Sequence, residues 1–216
     1  MREAVSFQRA RKPEEQQLRR DAILAAASDL FDIEGPQGTG LNAIAARAGF
    51  TKSNVYRYFE SREDVLMNLF LRELESFVAD FEVASSACPP GDVDRLASVS
   101  AEIFVAHPRF CAFIGILTSV LEQNVSVEKI IALKRAVTAL NLRITRAVSA
   151  RLPTARPEDC GWAVAMVATL VGGMWPNTTP SPAAAKVLAM PEFDYLKPRP
   201  ERDLPRAIAA LFRSIT

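Results

Sequence analysis

The chain is poor in the residues that carry most catalytic and metal chemistry. It holds one histidine and three cysteines in 216 residues. Cys88, Cys111 and Cys160 are scattered and odd in number, which argues against a disulfide scaffold or a zinc site. His107 has no carboxylate or cysteine partners at ligand spacing, so it cannot hold a metal. Placed just before Pro108, it reads as a helix-end residue. Nucleophilic catalysis needs a positioned base and an oriented partner, and no such set is present, so neither an enzyme nor a cofactor is expected. Gly172-Gly173 follows no strand and fits no phosphate-binding pattern; it suits two helices that approach closely. An excess of charge is also lacking. The net charge is +1, and the first 62 residues carry ten Lys/Arg against eight Asp/Glu. Any affinity for nucleic acid must therefore come from the placement of a few cations rather than a polybasic field. No apolar run reaches the length of a membrane span. Residues 1–20 are charged throughout, unlike a signal peptide, so the expected location is cytoplasmic, at the nucleoid, with no membrane partner.

What is present is helical periodicity. With 49% hydrophobic residues the chain can bury a sizeable core. Residues 1–17 are polar and interrupted by Pro13, which predicts a mobile arm. From Leu18 to Ile33, Ile23, Ala27, Leu30 and Phe31 share one face, and the glycine-rich Glu34–Gly40 ends that helix. Residues 39–62, TGLNAIAARAGFTKSNVYRYFESR, read as two short helices around a tight turn. Leu41, Ile44, Ala45 and Ala48 recur at helical spacing. Gly49 stops the first helix, and Thr51 can cap the second. In that second helix, Thr51–Phe59, only Val55 and Phe59 are anchors for a core; the other positions are polar or hydroxyl-bearing, which suits the major groove of DNA. Ser61 caps a long helix with acidic residues in its first turn. Val65, Leu66, Leu69, Phe70, Phe77 and Phe81 carry that helix beyond the DNA-binding unit. Further helices are predicted at 93–106, 109–122, 126–152, 156–175 and 203–215. Seven of the fourteen prolines fall within 176–205, which leaves that stretch a connector with a short helical piece at most. The fold class is all-α.

The run AIAARAGFTKSNVYRYFESREDVL, Ala43 to Leu66, and the preceding RRDAILAAASDLFDIEGPQGTG resemble the TetR family of bacterial transcriptional regulators. The resemblance covers roughly residues 18–70, about a quarter of the chain. Gly40 departs from it, since members often carry a capping threonine there; that costs a few tenths of a kcal/mol relative to Thr and leaves Thr39 or Asn42 for phosphate. The resemblance implies a helix-turn-helix domain at 18–64 and a helical ligand-binding and dimerisation domain at 65–216. It implies that Thr51, Tyr56 and Arg62 donate to phosphates. Lys52, Ser53 and Asn54, at the start of the recognition helix, are placed to read base edges, Lys52 suiting guanine and Asn54 adenine. Arg57 and Tyr58 are expected at the backbone. Arg19 and Arg20 grip phosphate or the minor groove, or simply form a solvated helix start. Phe104, Phe110, Phe113, Leu117, Met166, Leu170, Met174 and Trp175 line a pocket or form plain core; the methionines and the scarcity of charge favour a small hydrophobic ligand. The implied assembly is a homodimer through the helices near 156–175 and 203–215, on a palindromic double-stranded operator. The implied function is a repressor released by an inducer. The alternative is a dimeric regulator without a pocket, controlled by a protein partner or by its own concentration.

Overall fold

The computed structural model describes residues 7–122 and 124–216, without the side chains of residues 7–12, 37, 118 and 119. Among these residues there are helices and turns and no strand. In chain order the helices are α1 (Phe7–Gly38), α2 (Leu41–Arg47), α3 (Lys52–Val55), α4 (Arg62–Ser86), α5 (Val93–Ala106), α6 (Pro108–Ile116), α7 (Val127–Arg151), α8 (Pro157–Met174), α9 (Pro182–Leu188) and α10 (Pro200–Arg213). Two compact units divide them. The first comprises Met1–Leu69 with Leu121–Ile130, and the second Phe70–Val120 with Ile131–Thr216. Helix α4 runs from one into the other along the chain.

Residues 1–6 of the expected arm lie outside the described residues, but residues 7–17 are helical and continuous with α1. Their Glu, Gln and Arg are good helix formers, and Pro13 removes only one backbone bond. From Pro13 to Leu18 every side chain is exposed, so this stretch is a solvated helix. The α1 helix proper bends at Gly35, where φ is 67°. In the first unit Ile23, Ala27, Leu30 and Phe31 of α1 are buried, as are Ile44, Val55, Phe59 and Leu66.

The second unit centres on aromatic rings. Phe77 of α4 lies 4.7 Å from Phe104 and 4.6 Å from Phe110, centroid to centroid. The His107 ring packs edge-on against Phe77 at 5.6 Å, and its Nε2 lies 2.9 Å from Asp80 Oδ2, which gives the lone histidine the helix-end role the sequence assigns it. Proline opens α6, α8, α9 and α10, the first-turn position where its missing N–H leaves no bond unmade. The expected helix 109–122 shortens to α6 followed by a π turn, Leu117–Leu121. At the contact of α6 with α8, a Cβ on Gly172 would stand 3.0 Å from Ile114 Cγ2, and one on Gly115 would stand 3.2 Å from the Gly172 carbonyl. Two helices meet there closely enough that only glycine fits both positions without a shift.

Candidate nucleic-acid interface

The helix-turn-helix is assembled by local rules. Helix α2 ends where Gly49 takes φ 72°, a conformation open to glycine at no steric cost. The Phe50 N–H bonds back to the Ala45 carbonyl at 2.9 Å, which closes the turn. The Thr51 hydroxyl accepts from the Asn54 N–H at 3.3 Å and caps α3. Only Lys52–Val55 is regular helix, shorter than the predicted Thr51–Phe59; the chain continues to Phe59 through turn bonds such as Tyr58 N–H to the Val55 carbonyl, 2.9 Å. Val55 and Phe59 are buried and hold the segment against the unit. Ser61 accepts from the Asp64 N–H at 3.1 Å and caps α4.

Thr51, Lys52, Ser53, Tyr56 and Arg57 are exposed together on this segment. Lys52 Nζ stands 5.9 Å above the Tyr56 ring, which is 50% exposed, so a cation and a phenol are presented side by side. Asn42, at the start of α2, is also exposed. Asn54 is half-buried, and its Oδ1 is a buried acceptor with no partner, a state that costs about 1–3 kcal/mol. Reading adenine with both amide atoms therefore requires its side chain to turn outward. Arg19 is half-exposed and pairs with Glu15 at 2.9 Å, and the Tyr58 hydroxyl and Glu15 both raise its guanidinium above its ordinary value.

Three expected phosphate contacts are corrected by the structure. Arg20 donates to the Tyr58 carbonyl and to Asn68 Oδ1, both at 2.9 Å, with its guanidinium 4.4 Å over the Phe59 ring. Thr39 is fully buried, and its hydroxyl donates to the Gly35 carbonyl at 2.8 Å. Arg62 Nε donates to the Thr39 carbonyl at 2.8 Å, and its Nη2 to the Pro36 carbonyl. These three groups satisfy backbone carbonyls left open around the α1 bend and the recognition segment, and the same donors cannot also face a phosphate.

In the second unit a small apolar cavity of about 40 Å³ opens among α4, α5, α6, α7, α8 and α10. Typical ligand pockets measure about 300–1,000 Å³. Of the eight expected lining residues, Phe104 and Phe110 reach it. Phe113 is buried beside Phe70, with ring centroids 6.2 Å apart, and Leu117, Met166, Leu170, Met174 and Trp175 do not line it. Phe77, Phe81, Ile144 and Phe212 do, together with two polar groups, Ser100 and Asn141. Periodicity within one helix cannot reveal which residues from six helices converge, so no sequence signal marked them. Burial pushes the Cys111 thiol up to about 12, which leaves it inert as a nucleophile near neutral pH. Among the described residues no group of three metal-ligating side chains occurs.

An exposed donor-rich segment seated on a glycine turn has the form of a helix-turn-helix. Residues 23–69 match the family described as bacterial regulatory proteins, tetR family, and residues 71–214 match the tetracyclin repressor-like C-terminal domain. The chain belongs to the TetR family: it is a DNA-binding transcriptional regulator and not an enzyme. An uncharacterized HTH-type transcriptional regulator of Mycobacterium tuberculosis is 47% identical over 47 residues, 22% of this chain and 23% of that protein. The regulator RutR of Escherichia coli K12 is 37% identical over 70 residues, 29% of this chain and 33% of RutR. The chain thus spans a third or less of these relatives. Likeness to solved structures extends further. The fatty acid degradation regulator FadR from Bacillus halodurans superposes with a TM-score of 0.54 at 16% identity, covering 91% of this chain and 94% of FadR. SmeT, repressor of a Stenotrophomonas maltophilia multidrug efflux pump, gives 0.52 at 24%, covering 90% and 89%. At these identities the structures establish the fold alone.

Proposed function

We propose that this regulator is a homodimeric repressor that leaves a palindromic operator when a small hydrophobic inducer enters the second unit. Thr51, Tyr56 and Asn42 contact phosphate, Lys52 and Ser53 read bases, Asn54 joins them once its amide turns outward, and Arg57 with Tyr58 follows the backbone. The dimer forms through α8 and α10, which pack on each other; Trp162 of α8 is left 48% exposed. The observation that carries the inducer is the cavity lined by Phe77, Phe104 and Phe110, apolar but for Ser100 and Asn141. An inducer that binds one spacing of the recognition helices better shifts the population toward it. Helix α4, which contributes Phe77 to the cavity and begins beside the recognition segment, is the lever.

Filling the cavity by substitution mimics occupancy without needing the inducer. Ala168→Phe is expected to lower operator affinity about 5–150-fold, the range of an allosteric coupling of roughly 1–3 kcal/mol, with the fold retained. The small volume favours a second reading, in which no small molecule binds and a protein partner or concentration sets occupancy. Unchanged operator affinity in a folded Ala168→Phe dimer selects that second reading.

A further inference from the structure

The segment Leu121–Ile130 belongs to the first compact unit, although the chain on both sides of it belongs to the second. Lys129, in the first turn of α7, places Nζ 3.1 and 3.3 Å from the two carboxylate oxygens of Asp64. The Asp64 side chain is only 1% exposed. Besides the ammonium it accepts from the Glu60 N–H at 2.9 Å and from Asn68 Nδ2 at 3.1 Å. The Asn68 amide oxygen accepts from Arg20, and Arg20 donates to the Tyr58 carbonyl, both at 2.9 Å. A continuous polar chain therefore runs from Lys129 to the end of the recognition segment, touching it at Tyr58 and again at Glu60.

We infer that Lys129 is a positioning residue for DNA reading: its ammonium holds the buried Asp64 carboxylate in place, and Asp64 holds the recognition segment directly through Glu60 and indirectly through Asn68 and Arg20. Lys129 touches no DNA in this account. A buried carboxylate that loses its cation is uncompensated and turns toward water. Asp64 then releases the Glu60 N–H, and Asn68 is left with its bond to the Asp64 carbonyl alone, 2.7 Å, which loosens the amide oxygen that Arg20 uses. The recognition segment has only one regular helical turn, so its orientation depends on such tethers. The remainder of α7, from Ile131 to Arg151, lies in the second unit, so any displacement of that helix moves the ammonium as well. The inference rests on the DNA-binding reading and is independent of the proposed inducer.

The test uses the full chain and a DNA duplex selected by the unaltered protein. Lys129→Met is expected to weaken binding roughly two- to thirtyfold, the usual span for a residue in a coupling network, with unchanged base preference. The amides of Tyr58, Phe59 and Glu60 are expected to exchange faster with solvent in the same variant. Lys129→Arg, which retains the cation, should restore both. The double variant Lys129→Met with Asp64→Leu removes the stranded charge and safeguards folding; it lacks the acceptor for Glu60 and is still expected to bind weakly. Tight binding by either Met variant, or weak binding with unaltered exchange at 58–60, overturns the assignment. Failure of the unaltered protein to select any duplex would instead refute the DNA-binding reading beneath it.

Discussion

The two units use opposite chemistry around a similar helical scaffold. The first adds charged and polar tethers to its apolar core: Lys129 on Asp64, Arg20 on the Tyr58 carbonyl, Arg62 on the Thr39 carbonyl. The second packs tilted rings around Phe77, with the ion pairs Glu82 to Arg143 and Glu73 to Arg109 further out. Polar tethers have preferred directions and fix the orientation of a short segment, which is what base reading requires. Apolar burial is non-directional, and the second unit leaves a small cavity among its rings, which is what the proposed response to an inducer would require.

The comparison is broken most severely at Phe77. Phe77→Ala removes a fully buried ring at the centre of the second unit and is expected to cost about 3–5 kcal/mol, measured by denaturant unfolding. A loss below 1 kcal/mol would show that the rings are not its core. Arg62→Met tests the polar side. It is expected to destabilise by about 1–3 kcal/mol, because two carbonyls, that of buried Thr39 and that of part-buried Pro36, lose their donor. The slope of log affinity against log salt should stay unchanged, whereas a phosphate contact would reduce it by roughly one. Lys52→Ala is expected to relax discrimination at one position of each half-site by about 1–3 kcal/mol; Tyr56→Phe should weaken all sequences alike. Asn54→Ala sharpens the contrast, since it removes an orphaned acceptor and should raise thermal stability while relaxing base preference. An Asn54→Ala variant with unaltered preference removes that residue from the reading set.

The smallest effect is at the periphery. Arg143 donates to Glu82 and holds its carboxyl below the ordinary value, against a smaller opposing effect of burial. The folded value is lowered, so the pair's contribution is present above the unfolded value of about 4.3 and is lost as pH falls through the lowered one. Glu82→Gln should therefore change stability by less than about 1 kcal/mol at neutral pH and by nothing in acid.

Much of the first unit is legible in the sequence, because its signals are local. Gly49, Thr51 and Ser61 each act on neighbours within a few residues, and the spacing of Val55 and Phe59 shows which face is buried. The inward partners of Arg20 and Arg62 were not legible, for a complementary reason. They lie 38 and 23 residues away, and composition alone cannot distinguish an arginine that binds phosphate from one that binds a carbonyl. Lys129 is the extreme case, 65 residues from Asp64. The helices of the second unit were legible from periodicity and proline, with shifts of one to three residues where proline opens a helix. Its cavity was not, because it exists only where six helices converge.

The most direct test of the account is selection of bound sequences from a random duplex pool by the full chain, at stated salt. The account predicts a palindrome whose half-sites are centred about 34–36 Å apart, one helical turn, with specific bases opposite Lys52 and Ser53. Enrichment of a single asymmetric site, or of none, would contradict the claim that two copies of this recognition segment read DNA together.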